Sequence, residues 1–192
     1  MFFVAKKDRS KRMVIDYCSL NNQTVKSNYP LPLIIDLIDI MGNKKIFTKM
    51  DLQWGFNNVR IKEINEWKRA FTTHVGSFKP IVMFFGMTNL PATFQAMINE
   101  ILRDMINKGK VAAFVDDILV GTEIEEEYNE IVEKVLKRLE ENDLYIKLEK
   151  YTWKIRKIEF LGVCYESPKR EIVFHTFEHL IQNLKLCNGV KV

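Results

Sequence analysis

Apolar residues recur along this chain with two different spacings, and the alternation between them outlines its architecture. Leu33 to Met41 carries Leu37 and Ile40/Met41 on the same face as Leu33, is introduced by Pro30 and Pro32 and is stopped by Gly42, which predicts a short helix. Residues 91–108 give the clearest helical stripe: Phe94, Met97, Ile98, Ile101, Leu102 and Met105 share one face, with Pro91 in the first turn and Gly109 at the end. A third helix is expected after Thr122-Glu-Ile-Glu125, which has the form of a capping box, because Tyr128, Ile131, Val132, Val135, Leu136 and Leu139 repeat the helical spacing. Strand-like runs lie near residues 12–17, 45–50, 57–62, 68–73, 79–84, 111–115, 118–121 and 158–165. Helices mixed with antiparallel hairpins predict an α+β fold, an antiparallel sheet with helices on one face and the other face open.

Composition adds bounds rather than identity. The chain has 192 residues, 47% of them hydrophobic and 28% charged, as in ordinary globular proteins. Apolar stretches are too short to cross a bilayer, and the first residues form no adequate signal-peptide core, so no membrane association and an intracellular setting are expected. Cys18, Cys164 and Cys187 lack metal-ligand spacing and fit a reducing compartment. His175 and His179 stand four apart, but no third ligand accompanies them, so they are read as structural or surface histidines.

Charge is unevenly spread. Of 29 basic and 25 acidic residues, the stretch 123–142 takes three and eight, leaving 26 bases against 17 acids elsewhere. Basic clusters at Lys6, Lys7, Arg9, Lys11, Arg12 and at Lys147, Lys150, Lys154, Arg156, Lys157 suit a phosphate backbone, although such runs are more often solvated faces.

The candidate chemistry lies in three acids. Phe114-Val-Asp-Asp117 stands between two apolar runs, which predicts a tight hairpin with Asp116 and Asp117 at its tip. Adjacent carboxylates on a rigid turn call for a nearby cation, although Asp-Asp is also a common turn dipeptide. Asp51 ends the strand-like run Lys45–Met50 and can complete a three-carboxylate cluster of the kind that holds Mg²⁺ together with substrate phosphates.

Several segments together carry a resemblance. Asp51-Leu-Gln-Trp-Gly-Phe56, Phe85-Gly-Met-Thr-Asn-Leu-Pro-Ala-Thr-Phe-Gln95, Phe114-Val-Asp-Asp117 and Phe160-Leu-Gly162 resemble successive motifs of retroelement reverse transcriptases. The likeness is greatest to long-terminal-repeat retrotransposons of the gypsy type and extends over about residues 2–166, through Phe3–Asp8, Ile15–Tyr17, Leu20-Asn21, Tyr29–Pro32 and Leu144–Lys150. It implies a polymerase palm-and-fingers architecture. Fingers are expected at 1–28 and 61–85 and palm at 29–60 and 86–165. Residues 166–192 are expected to form a thumb stub or divergent tail, with the thumb largely missing.

The resemblance also implies roles. Asp51 and Asp116 would ligate two Mg²⁺ ions, with Mn²⁺ as an alternative, supported by Asp117 and the carbonyl of Leu52. Phe56 would exclude a 2′-hydroxyl. Lys6 and Arg12 would contact the incoming triphosphate, and Phe85, Gly86 and Gln95 would bracket the nucleotide and template. Phe160, Leu161 and Gly162 would grip the primer, and Lys147 or Lys150 would give a proton to pyrophosphate. Partners would be an RNA or DNA template with primer and deoxynucleoside triphosphates; the oligomeric state is not legible. Departures from the pattern are Arg9 for glycine, Cys18 for arginine, Trp54 for serine, Phe84 for proline and Leu90 for a small residue; the last two are expected to crowd the nucleotide loop.

The leading reading is thus an RNA-directed DNA polymerase domain, a nucleotidyltransferase working by two-metal phosphoryl transfer. Against it stands a decayed, catalytically inactive retroelement fragment that at most binds nucleic acid. A palm-fold cyclase is more remote, since a cyclase needs no primer grip.

Overall fold

The computed structural model describes residues 2–5, 11–166 and 169–171. It opens with β1 (Phe2–Ala5) and β2 (Lys11–Val14), then α1 (Cys18–Gln23), α2 (Ile34–Met41) and β3 (Ile46–Asp51). Two 3₁₀ turns, Gly55–Asn58 and Glu63–Arg69, lead to β4 (Phe71–Thr73) and β5 (Gly76–Phe78). After α3 (Leu90–Ile101) and α4 (Arg103–Asn107) come β6 (Val111–Phe114), β7 (Asp117–Thr122) and α5 (Glu125–Glu140). A 3₁₀ turn at Leu148–Lys150 then precedes β8 (Thr152–Ile155), β9 (Lys157–Phe160), β10 (Val163–Glu166) and β11 (Lys169–Glu171). The α+β class is as expected, and no helix among the described residues is long and apolar enough to cross a membrane.

The chain divides into two compact units. Of the described residues, one takes those up to 28 and 56–93, the other those from 29 to 55 and from 94 to 171. These crossings, at 28, 55 and 93, compare with the boundaries at 28, 60 and 85 drawn from sequence.

The first unit contains the β1–β2 and β4–β5 hairpins. Its core joins Ile15, Tyr17, Ile61, Met83, Met87 and Leu90, with Phe56, Phe71 and Phe84 packed against them. Of the two residues expected to crowd a nucleotide loop, Leu90 is a buried member of this apolar core and Phe84 packs against it. The runs at 57–62 and 79–84 do not form strands and share a single bridge, Arg60 to Val82. In their place Asn21 ties the loop down: its Nδ2 donates to the Gly86 carbonyl at 2.7 Å and its Oδ1 accepts from the Thr88 N–H at 3.0 Å.

The second unit is organised by a four-stranded antiparallel sheet in the order β6-β7-β3-β8 and a three-stranded sheet β11-β10-β9. Side chains alternate along β3, so Ile46, Thr48 and Met50 face one way and Phe47, Lys49 and Asp51 the other. The first face receives α5. The Tyr128 hydroxyl, wholly buried, bonds Thr48 Oγ1 and accepts the Lys154 N–H at 2.9 Å, so one side chain joins helix, central strand and edge strand. The second face is not open along its length as expected: Tyr165 of β10 packs on Phe47 with ring centroids 5.7 Å apart.

Three further expectations change. The 91–108 stripe is interrupted at Leu102 (φ −104°, ψ 12°), giving α3 and α4, though Phe94, Ile98, Leu102 and Met105 are all buried as the stripe requires. The capping box does not form. Thr122 is the last residue of β7, paired with Ile46, and α5 begins at Glu125 with no side-chain cap. Glu125, Glu126 and Glu127 in the first turn, and Lys137 and Arg138 in the last, suit the helix dipole instead. The run at 158–165 is two strands, because Leu161 (φ 52°) and Gly162 (φ 77°) form a turn between β9 and β10.

Removing the Tyr128 hydroxyl takes away two hydrogen bonds at once, one with the buried Thr48 hydroxyl and one from the Lys154 N–H, which keeps only its longer bond to Thr48 Oγ1 at 3.3 Å. Tyr128→Phe should therefore destabilise the fold by about 1–3 kcal/mol, read as a lower urea midpoint at unchanged m-value. An unchanged midpoint would remove Tyr128 from this role.

Candidate active site

Antiparallel pairing brings the acids together. In the β3–β7 register Asp51 lies opposite Asp117, so both side chains leave the same face at neighbouring positions. Asp116 stands in the two-residue turn between β6 and β7, with its carbonyl held by the Leu52 N–H at 2.9 Å. The tip is one residue earlier than expected: Val115 and Asp116 make the turn, and Asp117, paired with Phe114, already belongs to β7. Val115 has φ 54°, an uncommon conformation for a β-branched residue.

Gly55 makes room for this turn. A Cβ there would lie 3.0 Å from the Asp116 Cβ and 3.3 Å from the Phe94 ring.

Lysines neutralise the acids. Lys147 is tied to Asp51 twice, by its N–H to the Asp51 carbonyl at 2.8 Å and by an ion pair from Nζ to Oδ1. Lys150 Nζ reaches Asp51 Oδ2 at 3.1 Å, and Lys49 Nζ lies 3.7 Å from Asp117. The pairing with Asp51 raises the Lys150 pKa. Among the described residues Asp116 makes no such ion pair, and the charge of Lys147 acts on it only weakly. Burial, then the charges of Asp117 and Asp51, push its pKa up to about 6. Asp117 is also raised, chiefly by burial, against the opposing pull of Lys49.

The expected convergence of three carboxylates is not formed. Among the described residues no three acidic, histidine or cysteine side chains are placed to hold one metal ion. The reason is visible at Asp51, whose two oxygens are both turned to lysines. The donor chemistry nevertheless fits a hard divalent cation. These are carboxylates alone, and the raised Asp116 pKa marks a place where positive charge is wanting.

A cleft of about 550 Å³ opens beside the acids, lined among others by Lys49, Asp51, Asp117, Lys150 and Lys157. Phe160 is fully buried, its ring centroid 5.9 Å from the Nζ of Lys49, which lines the cleft, and Leu161 and Gly162 form the turn that follows Phe160. Gln95, expected beside a nucleotide, is wholly buried and spends its amide on the acidic turn. In the other unit, Phe56 and Phe85 meet edge to face at 5.2 Å, and a Cβ on Gly86 (φ 99°) would lie 3.1 Å from the Ile15 carbonyl. Lys6, the Arg12 side chain, His175, His179 and Cys187 lie outside the described residues.

Residues 4–165 match the family model described as reverse transcriptase (RNA-dependent DNA polymerase). The chain belongs to the reverse transcriptase family. Its relatives include the Transposon Tf2-3 polyprotein of Schizosaccharomyces pombe, 36% identical over 162 residues that make up 84% of this chain and 12% of that protein. Another is the retrovirus-related Pol polyprotein from transposon opus of Drosophila melanogaster, 38% identical over 156 residues, 81% of this chain and 15% of that one. The reverse transcriptase chain thus spans about an eighth of these relatives' length. The foamy viral protease-reverse transcriptase in complex with RNA/DNA hybrid superposes with a TM-score of 0.80 at 28% identity, over 94% of this chain and 24% of that one. The same viral enzyme with double-stranded DNA gives 0.79. The palm-and-fingers architecture follows from this likeness.

The two lysines on Asp51 are the feature that sequence reading missed. Lys147 and Lys150 were legible as basic residues, but nothing local signals a pairing about a hundred residues away.

Asp116 gives a testable pH dependence. Its folded pKa lies above the ordinary 3.8, so the folded state binds the proton more tightly. The stability this confers is complete below about pH 4 and lost as pH rises through 6. Asp116→Asn should accordingly stabilise the metal-free protein by up to about 3 kcal/mol at pH 7.5 and by little at pH 4. Thermal unfolding in a chelator at both pH values reads this; an equal gain at both, or none at pH 7.5, contradicts it.

Proposed function

We propose that this domain is an RNA-directed DNA polymerase of a gypsy-type retrotransposon, adding deoxynucleotides to a primer 3′-hydroxyl on an RNA or DNA template. The observation that carries the reading is the β3–β7 register, which sets Asp51 opposite Asp117 with Asp116 in the adjoining turn. Family membership and the likeness to a viral enzyme held with RNA/DNA hybrid support it.

Asp51 and Asp116 would hold two divalent ions, Mg²⁺ or Mn²⁺, with the Leu52 carbonyl and Asp117 in support. Such ions supply Lewis acidity at the primer hydroxyl and neutralise the departing pyrophosphate. The chain's own groups align and shield. Lys147 and Lys150 balance the charge of Asp51, and Lys150, whose proton is held more tightly by its bond to Asp51, would be placed to give a proton to pyrophosphate. Phe56, backed by Phe85, excludes a 2′-hydroxyl. Gly86 lets backbone approach the nucleotide, Lys6 and Arg12 take the triphosphate, and the Phe160–Gly162 turn steadies the primer end.

A second reading is a domain that binds nucleic acid without catalysis. The commitment of both Asp51 oxygens to lysines favours it.

Primer extension separates the two. Asp51→Asn and Asp116→Asn should each abolish nearly all extension by a purified chain that remains folded. No extension by the unaltered chain, with template-primer still bound, supports the second reading; full activity in Asp116→Asn removes the first. Phe56→Val should raise the ratio of ribonucleotide to deoxynucleotide kcat/KM by roughly tenfold or more, since sugar exclusion is a differential transition-state effect. An unchanged ratio returns Phe56 to the core.

A further inference from the structure

The turn that carries Asp116 is held in a conformation its sequence does not favour. Val115 sits at φ 54°, where a β-branched residue is sterically opposed, and no glycine or asparagine is present to ease it. One side chain answers for this geometry. Gln95 of α3 is wholly buried; its Oε1 accepts the Val115 N–H at 2.7 Å, and its Nε2 donates to the Ala113 carbonyl at 3.0 Å and to Asn99 Oδ1 at 2.9 Å. Asn99 in turn donates to the Tyr29 hydroxyl at 2.8 Å. Both amide hydrogens are used on acceptors, which fixes the orientation of the Gln95 group and leaves its oxygen to face Val115.

The two bonds grip the end of β6 and the first turn residue at once, from a helix rather than from the sheet. A turn so held has one height and one aim relative to α3. The Leu52 N–H secures the next carbonyl, that of Asp116, from the opposite side. Asp116 is thereby set between a bond to its predecessor's N–H and a bond to its own C=O.

We propose that Gln95 is a positioning residue for the reaction, fixing the Val115 backbone so that Asp116 and Asp117 are aimed correctly, and that it does not contact nucleotide. This inference rests on the polymerase reading for its rate effect but not for its structural content. Misplacing reacting groups by about 1 Å costs roughly a hundredfold in rate, which sets the scale of the effect.

The test combines kinetics with amide exchange on Gln95→Met, which keeps bulk and loses both bonds. The expected result is a fall in kcat of roughly 10- to 100-fold with deoxynucleotide KM changed less than about threefold. Glycine takes positive φ without steric cost, so the same substitution in a Val115→Gly background should cost far less, a coupling that general loss of packing would not produce. Hydrogen exchange at the Val115 amide needs no catalysis: it should be protected in the parent chain and exposed in Gln95→Met. An equal kcat in Gln95→Met, an effect confined to KM, or additive penalties in the double variant would overturn the proposal, as would equal exchange at Val115 in both chains. A parent chain that fails to extend primers while protecting Val115 in this way would sink the polymerase reading and leave the brace standing.

Discussion

The antiparallel register of β3 against β7 is the constraint on which the site depends. It sets Asp51 opposite Asp117 and thereby concentrates negative charge at one end of a sheet whose strands β6, β7 and β3 are mostly buried. Like charges held so closely oppose folding unless they are met by cations or protons. Each acid finds a different answer: Asp51 takes Lys147 and Lys150, Asp117 takes Lys49, and Asp116 takes a raised pKa. The buried strands provide the stabilisation against which this strain is tolerated, since each fully buried Leu, Ile or Phe contributes about 1.5–3 kcal/mol.

The surrounding elements follow from that arrangement. Tyr128 fixes β3 and β8 to α5 behind the acids, so the edge strand that follows Lys147 and Lys150 cannot drift from Asp51. Gly55 leaves space beneath Asp116, and Gln95 fixes the turn from α3. Stability and chemistry are opposed at the tip: the groups that would serve a cation are those whose charge costs most without one.

Long periodic segments were legible in sequence. The stripe of α5 and the apolar runs of β3, β6 and β7 appear where expected, because burial of one face dictates their spacing, whereas of the α2 stripe only Leu37 and Met41 are buried and Leu33 and Ile40 are exposed. Where tertiary pairing competed with local preference, local preference lost. Thr122 is drawn into β7 by Ile46 and so is unavailable as a cap, and the 57–62 and 79–84 runs yield one bridge because their apolar side chains are taken by a compact core. The acids of the site were legible by motif, but their electrostatic partners were not. Lysine positions carry no local signal of the carboxylate they will meet, and sequence does not reveal where a buried amide points, so the bonds of Gln95 to Ala113 and Val115 were not legible.

In the proposed function Asp51 and Asp116 would form a cation site, and Lys147 and Lys150 balance the charge of Asp51. Mn²⁺ binding followed by electron paramagnetic resonance, with template-primer and nucleotide present, tests it most directly. Saturable binding is expected, lost in Asp51→Asn and in Asp116→Asn and tightened when Lys147 and Lys150 are replaced by methionine. Binding of equal strength in the parent and the Asp51→Asn chain, or weakened by removal of the lysines, would contradict it.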